Sequence, residues 1–290
     1  MKNNTPHHFR VREGDEVDLD KWPTGVKPLC ASAEQCQQLR EAHLTALTAR
    51  QTLLYASNSY ALLLIFQGMD AAGKDSAIKH VMSGVNPQGC QVYSFKQPSA
   101  DELDHDFLWR TTRCLPERGR IGIFNRSYYE EVLVVRVHHE LLAREGIPPA
   151  LLDVKHLWQE RYQSIRDHEL HLTRNGTCVI KFFLHVSQEE QRKRLLKRID
   201  DPQKNWKVGL TDTAERQLWA QYAKAYAACL SATSTQYAPW YVIPSDDKTN
   251  AQLIISQIIL DALDKLPLRF PELDAQRREE LLAMRHELAA

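Results

Sequence analysis

Residues 60–76 read YALLLIFQGMDAAGKDS, and this stretch decides the fold. Its first half, from Tyr60 to Gln67, is a continuous apolar run, which is typical of a strand buried on both faces in a parallel sheet. Its second half matches the pattern G-x-x-x-x-G-K, and the residues from Lys74 to Met82 are compatible with a helix. A strand, a glycine loop and a helix in this order are the context in which the pattern forms a phosphate-binding loop.

This loop supplies backbone and side-chain groups that suit a phosphate. Its glycines let N–H groups turn inward, the following helix adds a positive partial charge at its N-terminus, and the lysine adds a full charge. The predicted phosphate-binding residues of the loop are Gly68, Ala71, Ala72, Gly73, Lys74, Asp75 and Ser76. A chance glycine turn between a strand and a helix is the alternative interpretation.

Asp75 departs from the common pattern, in which a serine or threonine follows the lysine. Ser76 comes one residue later, which weakens a simple assignment of a magnesium ion to a hydroxyl at position 75. Two carboxylates, Asp70 and Asp75, therefore lie beside the predicted phosphate site, and metal ions or neighbouring basic side chains must offset them. We take Asp70 as the candidate magnesium ligand, either directly or through water.

The rest of the chain alternates short β-rich runs with helical patterns, which predicts an α/β fold with a parallel sheet and helices on both faces. The further strand candidates are Gln91–Phe95, Ile121–Asn125, Cys178–Val186 and Trp240–Pro244, which makes five strands with the first. The helical stretches are Glu34–Tyr55, Leu151–Leu172, Ser187–Ile199, Thr213–Leu230 and Asn250–Leu266. We expect one domain, a three-layer sandwich over residues 1–290, with an irregular arm (1–33), a lid region (about 188–230) and a terminal helix (271–290).

Composition excludes several other classes of protein. The chain has 290 residues, and its 37 basic residues equal its 37 acidic ones, which argues against a broadly basic nucleic-acid coat. The longest apolar stretch is far below the roughly 20 residues that a membrane helix needs. None of the six cysteines forms a C-x-x-C pair, so we expect a reduced cytoplasmic protein with mostly buried thiols.

A second group of polar residues follows the strand candidate Ile121–Asn125. Ligands of open α/β sheets gather at the carboxyl ends of strands, where phosphotransferases often carry an Asp-Arg pair. Here the pair is Asn125 and Arg126, with Glu130 as a carboxylate nearby. Upstream, Arg110 is the best candidate for a contact with an acceptor phosphate. The alternative is an ordinary helix start with Asn125 as its N-cap.

A basic run, QRKRLLKR, occupies residues 191–198 and carries five positive charges without an acid. On a helix, Arg194 and Arg198 share a face at a spacing of four residues. Lys204 and Lys207 follow in a segment that contains a proline and a glycine. These residues predict a lid whose cations close over phosphates and exclude water. A solvated helix face is the alternative.

At this point the sequence resembles the polyphosphate kinase 2 family, from about Phe9 to Leu266. The resemblance rests on several long blocks in family order: QGMDAAGKDSAIKHVMSGVNPQG (67–89), HDFLWR (105–110), IGIFNRSYYEEVLVVRV (121–137), KFFLHVSQEEQRKRL (181–195), DDPQKNWK (200–207) and APWYVIPSDDK (238–248). Asn125-Arg126 in place of Asp-Arg looks like the class III branch. Departures at Thr112, Arg120 and Tyr128 put substrate preference in doubt more than chemistry.

The resemblance implies a P-loop kinase fold with a helical lid and a Mg²⁺-dependent transfer of phosphoryl groups between inorganic polyphosphate and nucleotides. Mn²⁺ is a second candidate metal. Class III members phosphorylate both AMP and ADP, so the expected partners are polyphosphate and adenine nucleotides, with guanine nucleotides as a further candidate, and a second copy of the chain. The residues that inherit catalytic, nucleotide-binding or lid roles are Asp70, Lys74, Asp75, Asn125, Arg126, Glu130, Arg194, Arg198, Lys204 and Lys207.

Two other functions fit parts of the pattern. A nucleoside monophosphate kinase with a nucleoside triphosphate donor would keep the fold and change the donor. A non-catalytic sensor of polyphosphate or nucleotides would bind without turnover, and the complete set of Asp70, Lys74 and Arg126 speaks against it.

Overall fold

Five parallel strands form a sheet at the centre of the molecule. The computed structural model describes residues 6–152, 156–209 and 211–290. The strands are β1 (Ala61–Gln67), β2 (Cys90–Ser94), β3 (Ile121–Asn125), β4 (Thr177–His185) and β5 (Trp240–Pro244). Their spatial order is β2-β3-β1-β4-β5. The five predicted strands are confirmed, with ends that differ by no more than one residue.

Helices precede, connect and follow these strands. In the described part of the chain they are α1 (Ala33–Ser57), α2 (Lys74–Met82), α3 (Ala100–Leu103), α4 (Trp109–Thr112), α5 (Glu130–Val137), α6 (Leu157–Arg174), α7 (Gln188–Asp200), α8 (Thr211–Gln217), α9 (Trp219–Thr233), α10 (Lys248–Leu263) and α11 (Ala275–Ala289). The helix predicted after residue 271 is therefore present. Among the described residues, no helix is long and apolar enough to cross a membrane.

Strand β1 is buried along its whole length because helices cover both faces of the sheet. Successive side chains of a strand point to opposite faces. Leu62 and Leu64 accordingly join one buried cluster with α1, α2 and α10, whereas Leu63 and Ile65 join a second cluster with α5, α6 and α9. The two clusters make the predicted three-layer sandwich, and they place the end of β1 in the middle of the molecule.

Two predicted helices differ from the structure. The helix expected from Leu151 begins only at Leu157, since Pro148 and the proline after it set residues 149–151 in a separate 3₁₀ turn. Residues 153–155 of the predicted helix lie outside the described residues. The stretch Thr213–Leu230 is divided into α8 and α9 at Leu218. No glycine or proline marks that break, so sequence periodicity could not reveal it.

The N-terminal arm covers the edge of the sheet beside β5. Its Arg10 forms an isolated antiparallel bridge with Tyr241, and the Val11 N–H donates to the Trp240 carbonyl at 2.9 Å. Val11 is also buried, as are further apolar residues of the arm. The arm thus pairs an exposed strand edge, which is a common way to prevent edge-to-edge association.

The expectation of six reduced cysteines is wrong for one pair. Cys30 and Cys36 form a disulfide across the start of α1, with 5.3 Å between their Cα atoms. Ser32 caps the helix between them by accepting a hydrogen bond from the Gln35 N–H. This turn brings together two cysteines whose spacing matches no redox or metal motif. The remaining cysteines carry free thiols, and Cys229 is buried.

Candidate active site

The phosphate loop joins β1 to α2 and has a close-packed backbone. Gly68 adopts φ +157°, and a Cβ there would lie 3.0 Å from the Leu184 carbonyl and 3.2 Å from the Ala72 Cβ. Gly73 adopts φ +109° at the N-cap of α2, a left-handed conformation that favours glycine. The backbone of the loop therefore favours glycine at both positions of the pattern.

Lys74 curls back over the loop. Its Nζ donates to the carbonyls of Gly68 at 2.5 Å and Met69 at 3.2 Å. Burial and, after it, the nearby charge of Arg126 lower the pKa of Lys74 to about 8, against the raising effect of the nearby carboxylates. Lys74 and Arg126 are thus close enough for their charges to repel each other. A polyanion between them would relieve that repulsion.

Asn125 connects the end of β3 to the loop. Its Nδ2 donates to the Asp75 Oδ1 at 2.9 Å. The interpretation of Asn125 as a helix N-cap is wrong, because α5 begins at Glu130 and its N-cap is Tyr129. Ser76 donates to the Gly73 carbonyl at 2.9 Å, so its hydroxyl closes the first turn of α2. The amide of Asn125 therefore fixes Asp75 at the side of the phosphate loop.

Arg126 occupies a turn with an unusual backbone. Its φ is +64°, which places a residue with a Cβ in the left-handed region. Its N–H donates to the Phe66 carbonyl of β1 at 3.0 Å, and its guanidinium lies 3.6 Å from the Glu130 carboxylate. The Arg126 side chain is still 44% exposed. The turn therefore presents a cation to solvent directly beside the loop.

Arg194 of α7 is held differently. Its Nε donates to Glu190, Nη1 donates to the carbonyls of Ala71 and Ala72, and Nη2 donates to the carbonyls of Ser245 and Asp246. All five donors of the guanidinium are therefore engaged, and the side chain is only 10% exposed. Because a trans peptide points its carbonyl and the next N–H in opposite directions, the bond to Ala72 turns the Gly73 N–H away from Arg194.

Arg198 lies one turn further along α7 and faces the loop. Its guanidinium pairs with the Asp70 carboxylate at 3.3 Å. Lys204 is exposed and pairs with Asp201. The side chain of Lys207 lies outside the described residues. Of the predicted lid cations, the structure therefore brings Arg194 and Arg198 to the phosphate loop.

Arg110 lies in a cavity that is separate from the loop. The cavity has a volume of about 250 Å³ and is lined by Arg110, Glu131 and Arg161 among others, with no loop residue in its lining. Arg110 is buried, donates to the Lys96 carbonyl at 2.8 Å and lies 3.9 Å from the Glu131 carboxylate. Burial raises the pKa of Glu131 to about 7, against the lowering effect of Arg161 and Arg110.

A model of one protein family matches residues 30–270, and its description is polyphosphate kinase 2. The chain belongs to the polyphosphate kinase 2 family. An ADP-polyphosphate phosphotransferase from Rhodopseudomonas palustris is 58% identical over 280 residues, which cover 97% of each chain. An AMP/ADP-polyphosphate phosphotransferase from Meiothermus ruber is 44% identical, over 77% of this chain and 79% of its own.

The fold of this polyphosphate kinase 2 chain also matches a solved structure. A crystal structure of polyphosphate kinase 2 from Arthrobacter aurescens superimposes with a TM-score of 0.85 at 36% identity. The match covers 97% of this chain and 98% of the other. The α/β architecture predicted from the sequence is thereby confirmed both by the strands themselves and by comparison.

Other residues of this polyphosphate kinase 2 chain lie near the site but were not among the predicted site residues. Burial raises the pKa values of Tyr222 and Tyr226 of α9. The nearby charge of Glu130 raises them further, and that of Arg126 opposes the rise. Lys248, at the start of α10, has a pKa lowered first by burial and then by the nearby charge of Arg194. Lys248 stands inside a family-like block, APWYVIPSDDK, and that block was the signal that could have found it.

Proposed function

We propose that this chain transfers phosphoryl groups reversibly from inorganic polyphosphate to AMP and ADP, giving ADP and ATP. The observation that supports it best is the juxtaposition of Lys74 and Arg126 at the ends of neighbouring strands, in a member of the polyphosphate kinase 2 family. The two relatives named above support both acceptors, since one is named for ADP and the other for AMP and ADP. Class III behaviour remains part of this proposal.

The chemistry follows from charge and position. The donor chain lies along the loop and α7, with its terminal phosphoryl between Lys74 and Arg126. Lys74 exchanges its bonds to the Gly68 and Met69 carbonyls for bonds to phosphate oxygens. The phosphate of the acceptor nucleotide attacks in line, and because it is already anionic it needs no general base. Catalysis is then mainly positioning and stabilisation of charge on the transferring group.

The loop carboxylates fit a magnesium ion. The described residues contain no cluster of three side chains that could hold a metal by themselves. Mg²⁺ is commonly bound by one or two carboxylates together with substrate phosphates, and oxygen is its preferred ligand. Asp70 would hold the ion, directly or through water, with Asp75 beside it, and Mn²⁺ would suit the same ligands. When bound, the metal neutralises charge on the phosphates.

The acceptor side of the proposal lies toward β2 and β3. Arg110 in its cavity, and Asn125, Arg126 and Glu130 beside the loop, are the proposed nucleotide-binding residues. Arg110 already faces Glu131 and Glu102, so a nucleotide phosphate would have to compete with two carboxylates for it. We therefore give the contact with the transferring and acceptor phosphates to Arg126, and the more remote part of the nucleotide to the Arg110 cavity.

The decisive experiment supplies ADP, polyphosphate and Mg²⁺ without any nucleoside triphosphate and measures ATP. The Lys74→Ala variant should abolish transfer and keep the wild-type melting temperature, whereas Lys79→Ala, on the exposed side of the same helix, should leave the rate unchanged. Retained activity in Lys74→Ala would contradict the assignment of this site to phosphoryl transfer. ATP formation only with a second nucleoside triphosphate would favour the alternative donor, and tight polyphosphate binding without turnover would favour a sensor.

Self-association is a further part of the proposal. Helix α11 is exposed along its length, and Leu281, Met284 and Leu288 lie on it at spacings of three and four residues. Such a row is the usual contact face between two helices. Light scattering should show an oligomer for the full chain and a smaller species for the Leu281→Lys/Leu288→Lys variant. A monomeric wild type at micromolar concentration would contradict this part.

A further inference from the structure

An ion pair lies buried beneath the turn that carries Arg126. Lys181 is in the middle of β4 and Glu169 is near the end of α6, and neither side chain is exposed. Their Nζ and Oε2 atoms are 2.5 Å apart. A charged pair without solvent is costly unless every donor and acceptor is satisfied. Packing alone therefore does not explain its place on β4, next to the central strand β1.

The pair is completed by neighbouring polar groups. The remaining donors of Lys181 reach the Tyr129 hydroxyl at 2.9 Å and the Thr233 carbonyl at 2.8 Å. The second oxygen of Glu169 accepts from the hydroxyls of Tyr128 at 2.9 Å and Tyr129 at 2.8 Å. The three ammonium donors and both carboxylate oxygens thus have partners. The network thus joins β4, α6, α9 and the turn that precedes α5.

Two of these partners are adjacent in sequence to the Arg126 turn. A residue with a Cβ in the left-handed region is strained, and the surrounding structure must hold it there. The backbone of the turn is held by two hydrogen bonds: the Arg126 N–H donates to the Phe66 carbonyl, and the Tyr129 N–H donates to the Ser127 Oγ at 3.2 Å. The side chains of Tyr128 and Tyr129 are held as well, because their only polar atoms, the hydroxyls, are bonded to the buried pair. The turn is therefore anchored through both its backbone and its side chains.

We propose that Glu169 and Lys181 are positioning residues, which act through the two tyrosines to hold Arg126 in its phosphate-facing conformation. This inference rests on the proposed function, in which Arg126 stabilises the transferring phosphoryl group. The pair also fixes the position of the turn relative to the loop. Lys181 lies opposite Ile65 of β1, which is three residues before Gly68. One buried network thereby fixes the distance between the two cations that face the phosphate.

The Tyr129→Phe variant tests the link because it removes one hydroxyl and keeps the ring. We expect kcat to fall by about tenfold, since small displacements of a catalytic group are costly, with KM for ADP and polyphosphate within about twofold. Tyr162→Phe is the matched control. It removes a buried hydroxyl on α6, two turns before Glu169, and should keep the wild-type kcat. A Tyr129→Phe enzyme with wild-type kcat would overturn the proposal.

A second variant separates positioning from stability. Glu169→Leu with Lys181→Met replaces the pair by apolar side chains, a change that is often neutral for stability. We expect this double variant to keep a cooperative thermal transition and still lose about tenfold in kcat. If it folds and regains the full rate, the pair is purely structural and the proposal fails. Should it not fold, the Tyr129→Phe measurement decides alone.

The closing experiment combines Tyr129→Phe with Arg126→Ala. If the hydroxyl acts through Arg126, the added loss in the Arg126→Ala background should be below about twofold, because the residue that it positions is gone. A tenfold loss in both backgrounds would show that the network acts elsewhere and would overturn the positioning role. An Arg126→Ala enzyme with the wild-type rate would instead contradict the proposed function, so the two failures are distinguishable.

Discussion

Two arginines flank the phosphate loop, and the structure uses them in opposite ways. Arg194 of α7 is 10% exposed and spends all five donors on protein atoms, four of its bonds being to backbone carbonyls. Arg126 is 44% exposed, has one carboxylate at 3.6 Å and lies on a strained turn. Arg194 therefore shapes the loop, whereas Arg126 is available to a ligand.

The difference shows that the role of an arginine near a phosphate site depends on the contacts that its guanidinium already makes within the protein. A guanidinium with every donor bonded gains nothing from a phosphate unless it breaks existing bonds. The guanidinium of Arg126, which has a long ion pair with Glu130, gives up less when it binds a phosphate. Arg198 lies between these limits, since it is partly exposed and pairs with Asp70 alone at 3.3 Å.

The largest effect is expected for Arg126→Ala. Removal of an arginine that stabilises a transferring phosphoryl group costs about 10³-fold or more in kcat. The melting temperature should change little, because the side chain is 44% exposed and its ion pair with Glu130 is long, at 3.6 Å. The measurement is ATP formation from ADP and polyphosphate, together with a thermal scan. A loss of stability equal to that of Arg194 variants would remove the contrast between the two arginines.

Arg194→Met should show the reverse pattern. It leaves the carbonyls of Ala71, Ala72, Ser245 and Asp246 without their donor, which we expect to cost about 2–3 kcal/mol of unfolding free energy. Chemical denaturation measures this loss. Arg192→Met is the matched control, since Arg192 is exposed on the same helix and pairs only with Glu189, and its midpoint should equal that of the wild type. An unchanged midpoint for Arg194→Met would contradict the role assigned to it.

Sequence patterns located both arginines but could not separate them. The strand–loop–helix arrangement, the five strands and the shared face of Arg194 and Arg198 follow from local spacing, and the described residues confirm them. The bonds of Arg194 depend on carbonyls from two distant segments, which no local pattern encodes. The same is true of Lys181, which reads as one charge in an apolar strand, since its partner Glu169 belongs to another element.

Arg198→Gln should have an intermediate effect. It removes one charge from the face of α7 that lies beside Asp70, and we expect KM for polyphosphate to rise about fivefold to tenfold while kcat stays within about threefold. The difference in KM should shrink as salt is added, because screening weakens the attraction between exposed charges. A fall in kcat without a change in KM would instead place Arg198 with Arg126 among the groups that act on the transition state.

The smallest effect concerns the contact that joins the two regions. His138 ends α5, which follows the Arg126 turn, and its Nε2 lies 3.0 Å from a carboxylate oxygen of Glu215 on α8, which follows α7. Burial lowers the pKa of His138, but hydrogen bonds and charges from Glu215 and Glu140 outweigh it, so the pKa is raised overall. Folding therefore favours the protonated form relative to the unfolded chain.

A raised pKa makes this contact stabilising at low pH. Its contribution is fully present below the unfolded pKa of about 6.5 and is lost as the pH rises through the higher folded value. Because both side chains are partly exposed, we expect only about 0.5 kcal/mol. Denaturation midpoints of the wild type and His138→Gln should differ most near pH 6 and converge as the pH rises above the folded pKa of His138. A difference that grows with pH would show that neutral His138, rather than its charge, holds α8 to the helix that carries the Arg126 turn.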